Sequence, residues 1–315
     1  MRSGTILEMQ ISDDGNSVIR HNYDKKSKIR KWMKCTDHES PISIGVDMVS
    51  EKIFSMTAAG LFTAWDLVSF DVVFSKDFHK VSQNIIAFKL SNKILLVFDN
   101  EIIVLGSNIS NGYDELKEYE LKLNKISDAK LNSTERLLGI ASTSSSTPEV
   151  SLYETENGFA KLTTFYGFKS SIKYIDFSTD NFYLQCEDNL GEVQLFEIES
   201  SRLINTETID FELEWLGEGL RSYGPLENIR KQYTSDNKIL QIVKIRGKPI
   251  IAIGDEIGTI RFFNYPNNGN DQYYQCYSDH LFNITKCLFT HDQRFFVSTS
   301  IYDRCIFKFK VTYND

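Results

Sequence analysis

The sequence predicts an all-β chain folded as a β-propeller with seven blades. Two observations predict this fold class. Short runs rich in Val, Ile and aromatic residues recur along the whole chain with almost no helical periodicity. A unit of one turn followed by one strand also repeats seven times. Repeats of this kind predict sheets that bury their faces against one another, and six or eight blades are the alternative counts.

The repeated unit places a turn ahead of a short strand that ends in a bulky side chain. In three units a glycine, Gly60, Gly191 or Gly258, lies five residues before the bulky residue, as a hairpin turn with positive φ requires. The bulky residues of the seven units are Trp32, Trp65, Leu105, Tyr153, Phe196, Phe263 and Phe309. Five of the six spacings lie between 33 and 48 residues, near the period of about 40–45 residues for a four-stranded blade.

The sixth spacing, 67 residues from Phe196 to Phe263, indicates an insertion between blades at about 207–237. We therefore expect one propeller domain over 1–315 with this one insertion. The last unit supplies three strands, so a strand from residues 5–11 is expected to complete its sheet. The alternative is that residues 5–11 open the first blade.

Composition bounds the classes of function. The net charge of -8 argues against nucleic acid as a partner. The N-terminal residues lack the apolar core of a signal peptide, and no apolar run approaches the roughly 20 residues of a membrane helix. The five cysteines form no C-x-x-C pair. These features predict a cytoplasmic protein with reduced thiols and no membrane partner.

Several segments carry a resemblance to a known family. Trp65-Asp66 matches the signature of WD repeats, and segments 166–198, 247–266 and 277–311 resemble the last blades of the echinoderm microtubule-associated-protein-like family. The matching features are Tyr265-Pro266, the Ser278-Asp279-His280 lead into the last blade, and Asp303 before its last inner strand. The usual Gly-His pairs are missing, and Phe or Tyr replaces most of the repeat-ending Trp residues.

The resemblance implies a propeller of WD-repeat type that associates with tubulin or microtubules, in the cytoskeleton or the cilium. It also implies that the chain is one propeller of a longer, two-propeller protein. A Trp- and Gly-containing segment of the family corresponds to the insertion, which contains Trp215 and Tyr223-Gly224-Pro225.

Polar residues at strand ends are expected to be structural. Asp66, Asp188, Asp255 and Asp303 are predicted to cap tight turns by accepting backbone N–H bonds, rather than to serve as acids or bases. His280, Thr299 and Asp303 are expected to form a buried hydrogen-bonded set rather than a nucleophile relay. Phosphate-binding, nucleophile-elbow and zinc motifs are absent from the sequence, so no metal or other cofactor is expected.

Two segments are the candidate protein-binding sites. The first is a basic cluster with an aromatic residue, suited to an acidic protein tail: Lys25, Lys26, Lys28, Arg30, Lys31 and Trp32. Its structural alternative is a solvated hairpin at a blade edge. The second is the insertion, where Trp215 and Tyr223 would present an apolar surface. Its alternative is packing against neighbouring blades.

The sequence thus predicts a non-catalytic scaffold that binds proteins, with tubulin or microtubules as the partner and no small-molecule substrate. A generic WD-repeat scaffold of a trafficking or ribosome-assembly complex is the first alternative. An enzyme that uses the central channel is the second, and it requires converging carboxylates or histidines.

Overall fold

The computed structural model is all β in the part of the chain that it describes. That part comprises 6–12, 33–34, 41–48, 50–69, 71–82, 85–90, 93–107, 112–121, 125–142, 147–205, 213, 215–216, 239–245, 248, 250–264, 275–278, 280–302 and 305–314. The strands that it contains are β1 (Ile6–Ser12), β2 (Met33–Lys34), β3 (Pro41–Asp47), β4 (Lys52–Thr57), β5 (Leu61–Asp66), β6 (Val72–Asp77), β7 (Ile86–Leu90), β8 (Lys93–Val97), β9 (Glu101–Ser107), β10 (Tyr113–Glu120), β11 (Ile126–Leu131), β12 (Leu137–Ser142), β13 (Val150–Glu154), β14 (Ala160–Phe165), β15 (Ile172–Phe177), β16 (Tyr183–Asp188), β17 (Val193–Glu197), β18 (Arg202–Ile204), β19 (Ile239–Lys244), β20 (Ile250–Asp255), β21 (Ile260–Asn264), β22 (Gln275–Tyr277), β23 (Ile284–Phe289), β24 (Phe295–Ser300) and β25 (Cys305–Asn314).

The described strands form six sheets, one for each blade, and each is built on an antiparallel meander. Five sheets take four consecutive strands each, namely β3–β6, β7–β10, β11–β14, β15–β18 and β19–β22. The sixth consists of β23, β24 and β25, to which β1 and β2 are added. The propeller architecture is confirmed, but the count of seven blades was wrong and the alternative of six is what these residues form.

The miscount has a specific cause. The bulky residues of six repeat units lie in the third strands of the six sheets, β5, β9, β13, β17, β21 and β25. The remaining unit ends at Trp32, which lies outside the described residues. The two residues after it, Met33 and Lys34, pair with Ile306 and Cys305 of β25 and so extend an existing sheet. A local turn-and-strand pattern does not distinguish this addition from a blade.

The N-terminal strand joins the last sheet, as expected for residues 5–11. Each residue from Ile6 to Ser12 has a partner from Lys308 to Asn314, and the two strands run parallel. The outer edge of β25 is therefore covered by β2 at its start and by β1 along the rest.

The chain divides into two compact units. The terminal unit comprises Met1–Gln83 and Tyr223–Asp315, and the central unit comprises Asn84–Ser222. Each contains three of the six sheets. The prediction of a single domain over 1–315 stays a prediction.

Within each unit, neighbouring sheets pack face to face. In the terminal unit, one cluster with Phe262, Phe296 and Phe309 joins the β19–β22 sheet to the last sheet. Another, with Trp65 and Ile306, joins the last sheet to the β3–β6 sheet. Two corresponding clusters join the three sheets of the central unit. Inner strands such as β4 and β20 are buried at every position.

Candidate protein-binding surface

The turn between the second and third strands has the same backbone in three blades. Gly60, Gly191 and Gly258 have φ of 91°, 81° and 84°. Each donates its N–H to the carbonyl three residues earlier, that of Thr57, Asp188 or Asp255. The predicted glycine turns are confirmed, since few other residues adopt this φ without strain.

Two of these turns begin with an aspartate, whose carboxylate caps the turn by accepting backbone N–H bonds. Oδ1 of Asp255 accepts the N–H groups of Ile257 at 3.1 Å and Thr259 at 2.8 Å. Oδ1 of Asp188 accepts those of Leu190 and Glu192 at 2.9 and 3.0 Å. The predicted capping role is confirmed for both aspartates.

Asp66, the Asp of the WD pair, caps the next turn of its blade in the same way. Its Oδ1 accepts the N–H groups of Val68 at 2.9 Å and Ser69 at 2.7 Å. The backbone hydrogen bond from Ser69 is the main influence that lowers the pKa of Asp66 below its usual value of 3.8. Asp303, the fourth predicted cap, lies outside the described residues.

Asp255 has a second role as the buried partner of an arginine. Its Oδ2 lies 2.8 Å from Nη1 of Arg261. Burial raises the pKa of Asp255, although the hydrogen bonds from Thr259 and Arg261 oppose the rise. Because both oxygens of this carboxylate have partners, the geometry fits a structural pair.

His280 is buried, but it contacts a different residue from the one predicted. Its Nε2 lies 2.8 Å from Oγ of Ser298, and its ring meets that of Phe307 edge to face at 4.3 Å. Thr299 bonds instead to Thr285, with the two hydroxyl oxygens 2.9 Å apart. The predicted contact between His280 and Thr299 was wrong because adjacent residues of β24 point to opposite faces of the sheet.

Five large apolar side chains of the terminal unit are exposed on three neighbouring connections. Ile257 lies in the β20–β21 turn, Leu281 and Phe282 in the connection from β22 to β23, and Ile301 and Tyr302 in the turn after β24. We call these five residues the loop cluster. Sequence reasoning missed it.

Backbone contacts hold the three connections of the loop cluster together. The N–H of Asn283 donates to the carbonyl of Glu256 at 2.8 Å, and the N–H of Ile301 donates to the carbonyl of Asn283 at 3.4 Å. Oγ of Ser300 donates to the carbonyl of Phe282. The exposed side chains are therefore displayed on loops of fixed geometry.

Close packing reinforces these bonds. A Cβ at Gly258 would lie 2.4 Å from the carbonyl oxygen of His280, so only glycine lets the two loops approach so closely. The rings of Phe282 and Tyr302 meet edge to face with centroids 5.8 Å apart, yet the two residues are 55% and 60% exposed. An aromatic pair in this state has surface left to bury against a partner.

One signal in the sequence points to part of this surface. Ile257 stands immediately before the turn glycine Gly258, and Leu190 has the same place before Gly191. Both side chains are exposed. In these two turns the residue before the glycine is exposed, so an apolar residue there marks a surface position.

Of the sequence-predicted candidates, only Trp215 lies among the described residues. Trp215 forms an antiparallel bridge with Ser178, and the N–H of Leu216 donates to the carbonyl of Phe177 at 2.9 Å. This part of the insertion thus extends the edge of the β15–β18 sheet, with Trp215 half-buried. The display of Trp215 as a protein contact remains a prediction.

The other candidate residues, Tyr223 and the basic cluster from Lys25 to Trp32, lie outside the described residues. The described strands that flank the basic cluster, β1 and β2, both pair with the outer edge of β25. The basic cluster and Tyr223 remain predictions.

The described residues contain no group of three or more His, Cys, Asp or Glu side chains placed to hold a metal ion. Cys186 and Cys287 are buried free thiols, and burial raises the pKa of Cys186. No helix within the described ranges is long and apolar enough to cross a membrane.

Comparison with known proteins decides the family. The model of the echinoderm microtubule-associated protein second β-propeller matches residues 44–311. The chain belongs to this family. The C-terminal segments that resemble this family lie within the matched residues. The match also reaches towards the N-terminus as far as β3.

Individual relatives of this second-propeller chain are distant. Echinoderm microtubule-associated protein-like 4 of Homo sapiens and that of Mus musculus are each 23% identical to it over 150 residues. The match covers 46% of this chain and 15% of each relative. Among solved structures, the computationally designed Ika8 protein is similar with a TM-score of 0.44 and 14% identity, over 85% of this chain and 70% of that chain.

Proposed function

We propose that this chain is a non-catalytic scaffold that binds proteins, and that one of its partners is tubulin in the cytoplasm. The observation that carries the scaffold assignment is the loop cluster, in which five apolar side chains stay exposed on loops joined by backbone hydrogen bonds. Buried aromatic anchors surrounded by a polar rim account for most of the affinity of protein interfaces.

Tubulin is proposed because of the family. The relatives are named microtubule-associated proteins, and the family model itself is that of a microtubule-associated protein's propeller. The basic cluster, Lys25 to Trp32, is the proposed contact for tubulin, since its five Lys and Arg residues would attract an acidic protein tail. Trp215 and Tyr223 of the insertion are the second proposed contact.

The side chains that could have supported catalysis favour the non-catalytic assignment. Asp66, Asp188 and Asp255 accept backbone hydrogen bonds in turns, and His280 is bound to Ser298 in the core. These positions have the geometry of structural groups.

The test is a titration of the purified chain with soluble tubulin heterodimer at low and at physiological salt. The unchanged chain is compared with a Lys25→Glu, Lys28→Glu, Lys31→Glu variant and with a Trp215→Ala variant. We expect binding that weakens as salt rises and is lost in the charge-reversed variant.

The other outcomes are equally informative. Binding that the charge reversal leaves unchanged but Trp215→Ala weakens would move the contact to the insertion. Absence of binding at both salt concentrations would overturn the tubulin proposal. It would favour a scaffold of another complex, in trafficking or ribosome assembly.

A further inference from the structure

Four connections of the central unit lie together at one end of two neighbouring sheets. The N–H of Thr155 donates to the carbonyl of Arg136 at 3.0 Å, which joins two connections of the β11–β14 sheet. The N–H of Ile198 donates to the carbonyl of Phe182 at 2.9 Å, which joins two connections of the β15–β18 sheet. We call these four connections, with the strand residues beside them, the turn surface: 132–136, 155–159, 178–182 and 198–201.

Two hydrogen bonds connect the halves of the turn surface. The N–H of Ser133 donates to Oδ1 of Asn181 at 2.9 Å, and Nδ2 of Asn181 donates to Oγ of Ser133 at 2.6 Å. Phe182 follows directly in the chain and is 61% exposed. An exposed aromatic ring is therefore displayed on turns of fixed geometry, and little order has to be gained when a partner binds.

The turn surface carries four carboxylates without a cationic partner. They are Glu154, Asp180, Glu197 and Glu199. Among the described residues, no lysine or arginine forms an ion pair with any of the four. Asn157 donates to Oε2 of Glu154, and Ser200 donates to Oε2 of Glu197. These neutral donors orient the two carboxylates and leave their negative charge uncompensated.

The arginines of the turn surface do not balance that charge. Arg136 lies 3.7 Å from Glu156, which is a further carboxylate, and Arg202 is exposed at the start of β18. The excess of acid, together with the exposed ring of Phe182, favours a partner group that combines positive charge with a flat face.

We infer that the turn surface binds an arginine-containing segment of a partner protein, in which a guanidinium stacks on Phe182 and pairs with a carboxylate beside it. Oδ1 of Asp180 accepts the N–H of Phe182 at 2.9 Å, while Oδ2 has no hydrogen-bond partner among the described residues. A guanidinium suits this arrangement because it stacks on aromatic faces and donates hydrogen bonds along its edge. The inference rests on the proposed scaffold function and gives that function a partner chemistry.

Charge argues against the competing occupants of the turn surface. An acidic protein tail, a nucleic acid and an anionic lipid surface would each bring like charge to it. A second copy of this chain has the same net charge of -8 and would be repelled at long range. An arginine-containing segment of a different protein fits both the carboxylates and the exposed ring.

The experiment measures the fluorescence anisotropy of a labelled Gly-Ser peptide with several arginines as the purified full chain is added. The same peptide with lysine or with citrulline in place of arginine is measured in parallel. The unchanged chain is compared with Phe182→Ser and with the matched control Leu190→Ser. Leu190 is 69% exposed in the turn between β16 and β17, at the other end of the same sheet.

A second pair of variants tests the charge of the turn surface. Glu197→Gln with Glu199→Gln removes two carboxylates from it. Asp114→Asn with Glu120→Gln is the matched control, because it removes two exposed carboxylates from β10 of the same unit. All variants are checked by thermal unfolding.

We expect the arginine peptide to bind at least about fivefold more tightly than the lysine peptide, and the citrulline peptide not to bind. Phe182→Ser should remove the preference for arginine over lysine. Loss of Glu197 and Glu199 should weaken both peptides by about tenfold at low salt. Both control variants should bind like the unchanged chain.

Equal binding of the arginine and lysine peptides would overturn the stacking on Phe182. Equal weakening by the Asp114, Glu120 variant would show attraction to an acidic chain without a defined site, and absence of binding would overturn the turn surface as a binding surface. Self-association of the unchanged chain that Phe182→Ser abolishes would assign the surface to a second copy and overturn the separate partner. None of these results affects the tubulin titration, which uses a different ligand and different variants.

Discussion

Asp66 shows what a single carboxylate contributes at the residue scale. The backbone hydrogen bond from Ser69 is the largest cause of its lowered pKa, and partial burial opposes it. A carboxyl whose pKa is lower in the folded than in the unfolded chain stabilises the folded state, and this stabilisation is fully present at pH values above the unfolded pKa. That stability is lost as pH falls through the folded value.

We predict that Asp66→Asn flattens the acid dependence of stability. An asparagine oxygen can accept the bonds from Val68 and Ser69 but does not titrate. Urea unfolding between about pH 5 and about pH 3 should therefore show a smaller loss of stability in the variant than in the unchanged chain. Equal losses in the two proteins would show that the charge of Asp66 contributes nothing to folding.

Lys308 is a buried cation whose partners are backbone carbonyls. Its Nζ donates to the carbonyl of Leu67 and, at 3.2 Å, to that of Val68. The ammonium lies near the WD turn, and its charge contributes to lowering the pKa of Asp66. The lysine thus fastens the last sheet to the turn of the β3–β6 sheet.

We predict that Lys308→Met destabilises the chain by about 1–3 kcal/mol, because the buried carbonyl of Leu67 and the part-buried carbonyl of Val68 lose this donor. Chemical denaturation of the variant measures this loss. Lys161→Met is the matched control, since Lys161 is exposed on the outer strand β14, and its effect should stay within about 0.5 kcal/mol. Similar results for the two substitutions would refute the proposed role of Lys308.

Sequence reasoning was accurate for residues whose structure is locally determined. The positive φ of Gly191 and Gly258 and the caps of Asp188 and Asp255 depend on a few neighbouring residues, and all were predicted. The partner of His280 was not, because the choice between Ser298 and Thr299 depends on which face of β24 meets the loop.

At the scale of the element, the sequence locates strands better than it assigns them to sheets. The repeat units from Trp65 to Phe309 all fall in third strands. The unit at Trp32 leads into β2, which pairs with Cys305 and Ile306, more than 270 residues further along the chain. Pairing at such a distance leaves no mark in a local pattern, so the blade count was one too high.

Two glycine turns with the same backbone differ in their surroundings, and this difference gives a test. Gly191 and Gly258 have φ of 81° and 84°. A Cβ at Gly191 would meet nothing within 4 Å, whereas one at Gly258 would press on the backbone of His280 and Phe282. We predict that Gly191→Ala costs about 1 kcal/mol from backbone strain alone.

Gly258→Ala should cost more than Gly191→Ala in chemical denaturation, because it adds a steric clash to the same strain. It should also speed hydrogen exchange in the 280–282 loop, which Gly191→Ala should leave unchanged. Equal destabilisation by the two substitutions would contradict the close approach of the loops at Gly258.

At the scale of the whole molecule, the loop cluster depends on segments that are distant in sequence. Ile257, Phe282 and Tyr302 stand about 20 residues or more apart, and only the folding of two adjacent sheets brings them together. The basic cluster is conspicuous in the sequence because its residues are consecutive. Whether an apolar residue is exposed depends on the tertiary structure. Sequence reasoning therefore favoured the basic cluster, whose residues are close together in the chain, over the loop cluster, whose residues are not.

The pairing of β1 with β25 joins the two ends of the described chain in one sheet. Seven residues, Ile6 to Ser12, pair in parallel with Lys308 to Asn314. Without β1 this stretch of β25 would be an open edge, and open edges pair with other chains. The strand should therefore contribute to stability and cover an edge that would otherwise pair with other chains.

We predict that deleting residues 1–12 lowers the melting temperature and causes association at high concentration. Hydrogen exchange should speed up in β25 and β24 before it does in β4 or β5, because the loss of protection starts at the exposed edge. A synthetic peptide of residues 1–14, added in excess, should restore both the melting temperature and the slow exchange of β25. A peptide with the same composition in scrambled order is the control. Full stability and unchanged exchange in the deleted chain would show that β1 adds nothing to the last sheet, and that β23, β24 and β25 are stable without it.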